Sequence, residues 1–267
     1  MKHAIGIFDS GVGGLTVYKS IRKAFPNEDL IYFGDTARVP YGPKSPDTII
    51  DYSVQNARFL LQLGVKILVV ACNTSSAVAI PFLKKLTSIP IIGVIEPGSE
   101  VALSTTRNNK IGVIGTEGTI KSQAYSKAIK ERVPEAEIFS AACPLFVPIV
   151  EEGWQDKPIA ESIVRDYLNP LINSDIDTLV LGCTHYPLLK DVIQKVVGEK
   201  VNLVDSADAI ALHLKDFLPA QDKTKSGTDT FYVSDNEEKF ATIAQNILEK
   251  PIDKLKRVSL FESWFIE

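Results

Sequence analysis

The feature that most restricts the fold of this chain is a succession of short β-branched runs and helical stretches that is used twice. Ala4 to Phe8 has strand character, passes into Gly11-Val12-Gly13-Gly14 and then into a helix from about Leu15 to Ala24. Leu30 to Phe33 is the next strand. Ser45-Pro46 opens a second helix, because serine caps the first free N–H groups and proline suits the first helical position. Ile50, Val54, Ala57 and Leu61 follow at intervals of four, three and four residues, which predicts one apolar face, and Gly64 ends the helix. Lys66 to Ala71 and Pro90 to Ile95 read as buried strands. The pattern restarts at Ile111 to Ile114, followed by Gly115-Thr116-Glu117-Gly118 and a helix. Thr178 to Leu181 and Val201 to Val204 are further strands. Such alternation implies parallel sheets covered by helices on both faces.

The restart has the form of an internal repeat. Ile5-Gly6-Ile7-Phe8 is echoed by Ile111-Gly112-Val113-Ile114. Ile67-Leu68-Val69-Val70-Ala71-Cys72-Asn73-Thr74 is echoed by Asp177-Thr178-Leu179-Val180-Leu181-Gly182-Cys183-Thr184. Two βαβ regions can look alike by chance, but the paired cysteines favour one α/β unit used twice. Near the end, Leu218 to Asp229 reads as a mobile surface loop. A strand near Phe231 to Val233, a helix to Lys250 and an edge strand from Leu255 to Phe261 come after it. This last part is expected to complete the first domain, dividing the chain into 1–97 plus 209–267 and 98–208.

Composition narrows the function classes. With 267 residues, 45% of them hydrophobic, the chain can build a sizeable core. A net charge of -4 and no basic cluster speak against a nucleic-acid partner. Apolar runs such as Ile67 to Cys72 are far shorter than the roughly 20 residues that span a bilayer. Asp9 interrupts the early apolar run, so no signal peptide is read there and a cytoplasmic location is expected. Three cysteines without a secretion signal predict thiols, not a disulfide framework.

Three constellations bear chemistry. Asp9-Ser10-Gly11-Val12-Gly13-Gly14 sits where a strand yields to a helix. It is neither a phosphate loop, since Leu15-Thr16 stands where Lys-Ser or Lys-Thr would follow, nor a dinucleotide fingerprint, since the third glycine is missing. It can be a purely structural turn, although Asp9 at a strand's carboxyl end is where open α/β sheets bind ligands. Cys72-Asn73-Thr74 and Cys183-Thr184-His185 each follow a buried strand. A lone cysteine is usually a small buried hydrophobe. Two in matching places, each beside hydrogen-bonding residues, are candidates for reactive thiols, with a pKa expected to be lowered by a helix N-terminus. Ala142-Cys143-Pro144 reads as packing. His185 can assist Cys183 or merely satisfy a strand end, whereas His3 and His213 are taken as ordinary residues.

Taken jointly, Asp9 to Gly14, Gly34-Asp35-Thr36, Pro40-Tyr41-Gly42, Cys72-Asn73-Thr74, Glu151-Glu152-Gly153 and Cys183-Thr184-His185-Tyr186-Pro187 resemble, in order and rough spacing, the glutamate racemases of the aspartate/glutamate racemase family. The resemblance runs from Ile5 to about Asp208. It implies an α/β fold of two similar domains, each a mainly parallel sheet flanked by helices, related by a pseudo-twofold with the site between them. It implies interconversion of L-glutamate and D-glutamate, without cofactor or metal, for peptidoglycan synthesis. Cys72 would act on D-glutamate and Cys183 on L-glutamate. Asp9 and His185 would assist the thiols and Glu151 would support His185. Ser10, Tyr41, Gly42, Asn73, Thr74, Thr116, Thr119 and Thr184 would line the substrate, with Asp9 and His185. The family forms dimers, so a homodimer is expected. The long N-terminal extension of members activated by a cell-wall precursor is not seen, and that regulation is not expected here.

Other readings stay open at this level. A related racemase acting on aspartate would differ in the depth of the side-chain pocket. A Cys/His metal site could draw on Cys72, Cys183 and His185, although CxxC spacing is lacking. A silent small-molecule binding module would make two reactive thiols hard to explain.

Overall fold

The computed structural model describes residues 4–218 and 226–260. His3, most of the expected loop between Leu218 and Asp229, and Phe261 lie outside the described residues. The first half runs β1 (Ile5–Asp9), α1 (Leu15–Ala24), β2 (Leu30–Gly34), α2 (Pro46–Gln62), β3 (Ile67–Val70), α3 (Asn73–Leu83) and β4 (Ile91–Gly93). Then come α4 (Ile95–Thr105), β5 (Lys110–Gly115), α5 (Glu117–Ser122), α6 (Ala124–Arg132), β6 (Glu137–Ala142), α7 (Phe146–Glu151) and α8 (Pro158–Ile172). The chain continues with β7 (Thr178–Gly182), α9 (Lys190–Val197), β8 (Asn202–Asp205), α10 (Ser206–His213), β9 (Asp229–Val233), α11 (Glu237–Leu248) and β10 (Leu255–Arg257).

Two wholly parallel sheets result. One has the order β10-β9-β2-β1-β3-β4 and the other β6-β5-β7-β8. The order second-first-third-fourth therefore occurs in both halves, the topological counterpart of the repeat in the sequence. Alternate side chains of each strand point to opposite faces. Ile5 and Ile7 join a core with Tyr18, Ile21 and Ile210, whereas Phe8, Leu68 and Val70 join another with Phe59 and Leu60. Leu179 and Leu181 of the second sheet pack with Phe146 and Leu168, while Val113 and Val180 pack with Tyr125 and Ile129. In each sheet the strand order reverses between the first and third strands, and the crevice outside their carboxyl ends is where such sheets bind ligands. Asp9 and Cys72 stand at that point in one sheet, Thr116 and Cys183 in the other.

Several details depart from the sequence reading. Helix α2 is capped as expected, with Ser45 Oγ accepting from the Thr48 N–H at 3.3 Å. Its innermost residues, however, are Ile49, Ser53, Asn56, Ala57 and Leu60, while Ile50, Val54 and Leu61 are only partly buried. Asn56 lies on that innermost face and hydrogen-bonds to buried partners described below. Strand β6 had no signal: it is an edge strand with no buried residue, so its burial pattern does not alternate. Strand β4 stops at Gly93 because α4 starts at Ile95, and β10 ends at Arg257. Among the described residues no helix is long and apolar enough to cross a membrane.

Candidate active site

Cys72 is the residue that caps α3, just beyond β3. Its thiol donates to Ser10 Oγ at 3.7 Å. Burial pushes this thiol up to about 11, and the Asp9 carboxylate adds to the effect. The lowered value expected at a helix N-terminus is thus overturned. The Ser75 amide and the Ser10 hydroxyl do favour the thiolate, but less than loss of water disfavours it. Asp9 itself is fully buried. Its Oδ2 accepts from the Gly11 N–H at 2.9 Å and its Oδ1 from the Thr184 hydroxyl at 3.4 Å. Burial raises the Asp9 pKa, against the opposing charge of His185 and the Gly11 hydrogen bond.

Cys183 follows β7 directly, and its Sγ lies 3.9 Å from His185 Nδ1. The other ring nitrogen, Nε2, is 3.1 Å from Glu151 Oε1, at the end of α7. Burial disfavours the imidazolium, but the contacts with Cys183 and Glu151 outweigh it and lift His185 to about 10. Glu151 is lowered chiefly by the same hydrogen bond. The glycine loop of the first sheet is pressed against this group. The Thr16 hydroxyl donates to Thr184 O at 3.0 Å, and a Cβ on Gly13 would collide with the His185 ring and Thr184 Oγ1. That contact is a specific reason for glycine at position 13, and it differs from phosphate binding.

Hydroxyls gather on the remaining wall. Thr116 caps α5, accepting from the Thr119 N–H at 3.2 Å, and its hydroxyl meets Thr74 Oγ1 at 2.8 Å. Thr119 Oγ1 stands 3.0 Å from Thr116 Oγ1 and 3.4 Å from Thr74 Oγ1. Gly42 O accepts from Gly118 N at 2.9 Å, and a Cβ on Gly42 would lie 2.9 Å from Thr116 Cβ. The two halves therefore meet backbone to backbone beside Tyr41. The Tyr41 hydroxyl donates to Asp35, which is also paired with Arg38 Nε at 2.6 Å and bonded by Ser234 Oγ at 2.9 Å. Arg38 continues to Asn56 Oδ1 at 2.8 Å, and Asn56 Nδ2 returns to the Tyr41 hydroxyl at 3.1 Å.

A tight cavity of about 40 Å³ collects these groups. Ser10, Tyr41, Gly42, Cys72, Asn73, Thr74, Thr116, Glu151, Cys183, Thr184 and His185 line it. Asp9 and Thr119 are not on its lining; Asp9 accepts from Thr184, and Thr119 meets the hydroxyls of Thr74 and Thr116. The sequence reading gave no role to the apolar walls Val39, Pro40 and Val147, or to the buried Asp35–Arg38–Asn56 support of Tyr41. The Gly34-Asp35-Thr36 motif pointed to the place without revealing the role. Cys143 is buried in the same core as Cys183, with Phe146, Ile149 and Leu168, but does not line the cavity. His213 sits in α10. Among the described residues no three His, Cys, Asp or Glu side chains converge so as to hold a metal ion, so Cys72, Cys183 and His185 do not form such a site. A larger groove of about 640 Å³ between α3, β4 and α6 contains neither thiol.

In sequence and fold the chain is similar to known racemases. The pattern of the Asp/Glu/Hydantoin racemase family matches residues 5–214. A glutamate racemase of Geobacter metallireducens is 52% identical over 261 residues, covering 96% of this chain and 97% of that one. The crystal structure of a glutamate racemase isoform from Bacillus anthracis superposes with a TM-score of 0.93 at 40% identity, covering 97% of this chain and 98% of its own. The glutamate racemase of Francisella tularensis, solved in complex with D-glutamate, gives 0.91 at 39% identity, with coverage of 97% and 98%.

Proposed function

Because the chain belongs to the Asp/Glu/hydantoin racemase family, we propose that it is a glutamate racemase in which two thiols exchange protons with opposite faces of the substrate's Cα. The observation that carries this reading is that Cys72 and Cys183, one from each sheet, line one narrow cavity. Inversion requires a base on one face and an acid on the other, and a duplicated unit supplies both from equivalent strand ends.

In the direction from L- to D-glutamate, the Cys183 thiolate removes the α-proton. The electron pair left on Cα spreads into the α-carboxylate, and the Cys72 thiol delivers its proton to the other face. Cys183 ends as a thiol and Cys72 as a thiolate, so the reverse reaction starts from that state. His185, held by Glu151 at 3.1 Å, takes and returns the proton of Cys183. Asp9, near Ser10 and Cys72, does the corresponding work on the other side. The α-proton is a very weak acid. The site must offset this with donors fixed in advance and with exclusion of water. Ser10, Tyr41, Gly42, Asn73, Thr74, Thr116 and Thr184 hold the two carboxylates and the ammonium group, and Thr119 supports Thr74 and Thr116 through its hydroxyl. No cofactor or metal is required in this scheme.

The same reading divides the chain into 1–97 plus 209–267 and 98–208 and makes the enzyme a cytoplasmic homodimer that supplies D-glutamate for peptidoglycan. Heavy water tests the chemistry. Newly formed D-glutamate should carry deuterium at Cα while unreacted L-glutamate at first carries little, and the asymmetry should reverse when D-glutamate is supplied. Proton NMR early in the reaction reads both pools, with L-aspartate as the competing substrate. Product that retains its original α-proton would refute the two-thiol mechanism, and faster racemisation of aspartate would refute the substrate.

A further inference from the structure

Asn73 is the first residue of α3 and follows Cys72 directly. It is 2% exposed and lies on the cavity wall. Its carboxamide is half paired. Oδ1 accepts a hydrogen bond of 2.7 Å from the hydroxyl of Tyr125, while Nδ2 has no hydrogen-bond partner among the described residues. A buried amide N–H without a partner is costly, and a ligand oxygen would relieve that cost.

Tyr125 belongs to α6, in the half that carries Cys183. Its ring is packed where only small residues fit. A Cβ on Gly98 would come within 3.2 Å of the ring and one on Gly182 within 3.1 Å. The hydroxyl is therefore held in place. Burial pushes the phenol's pKa up, so it keeps its proton, and a phenol donates far better than it accepts. The carboxamide is thus turned with Oδ1 towards Tyr125, which leaves Nδ2 as the buried donor without a partner among the described residues.

We infer that Tyr125 is a positioning residue: from the opposite half of the molecule it fixes the carboxamide of Asn73, already placed against the substrate carboxylates above, and so leaves Nδ2 as the donor to the α-carboxylate. The α-carboxylate is the partner because Asn73 adjoins Cys72, whose sulfur must reach Cα. The side-chain carboxylate is two carbons further away. This group gains negative charge as the α-proton leaves, so the donor acts mainly on kcat. The inference rests on the glutamate racemase reading above.

The test is Tyr125→Phe, which removes one oxygen and leaves the ring packing. It should lower kcat for L-glutamate by about tenfold to a hundredfold, with KM changed by less than about threefold. Asn73→Ala should lower kcat at least as much. The double variant should be no worse than Asn73→Ala by more than about twofold, because both act through one hydrogen bond. A purely structural tyrosine would instead multiply its effect with that of Asn73→Ala. Wild-type rates in Tyr125→Phe, or losses that multiply in the double variant, overturn the inference while the racemase reading stands. A wild-type protein that fails to racemise glutamate overturns both.

Discussion

Replacing Arg38 by methionine should destabilise the protein and slow it, for one reason. The guanidinium is 5% exposed and the paired Asp35 carboxylate 0%, with Nε 2.6 Å from Oδ2. The same guanidinium reaches Gln55 at 2.5 Å and Asn56 at 2.8 Å and lies over the Tyr52 ring at 4.1 Å. Methionine fills much of the stem's volume but leaves the carboxylate unpaired. Removing one member of a buried ion pair costs about 3–5 kcal/mol. Asp35 keeps donors from Tyr41 and Ser234, so the lower end applies. At about 2–4 °C per kcal/mol for a chain of this size, the melting temperature should fall by about 6–12 °C. Asn56 and Asp35 both hold the Tyr41 hydroxyl, so kcat/KM should fall as well. Thermal unfolding at neutral pH measures the first effect and racemisation of L-glutamate the second. Asp35→Asn combined with Arg38→Met removes both charges and should recover part of the stability. A melting temperature within about 2 °C of wild type for Arg38→Met, or a double variant less stable than the single one, would refute the reasoning.

Two further outcomes follow from the site. Burial holds the Cys72 thiol up to about 11. The thiolate fraction, and with it the rate of alkylation at Cys72 read by peptide mass spectrometry, should therefore climb about tenfold per pH unit through pH 10, whereas a plateau near the usual thiol value of about 8.5 would contradict the burial argument. Gly13→Ala should abolish most activity, because the new methyl group displaces His185 and Thr184; near-normal turnover from a folded variant would show that the ring needs no fixed position.

Much of this protein is legible along the chain because its information is local. The run Leu15–Ala24, the Ser45 cap and the strands ending before Cys72 and Cys183 depend on propensity and spacing within a few residues, and they appear in the structure where those signals place them. The echo between the segments ending at Cys72 and Cys183 likewise becomes the same strand order in two sheets. The thiols' environment is different in kind. A helix N-terminus argues for an easily ionised Cys72, yet burial by side chains distant in sequence reverses the sign. Nor does any local pattern reveal that Asn56 of α2 bonds Arg38, that Tyr125 reaches across to Asn73, or that Gly13 makes room for His185. Residue type and spacing are properties of a segment. Desolvation, amide orientation and the space beside a Cα exist only once segments far apart in the chain have packed together.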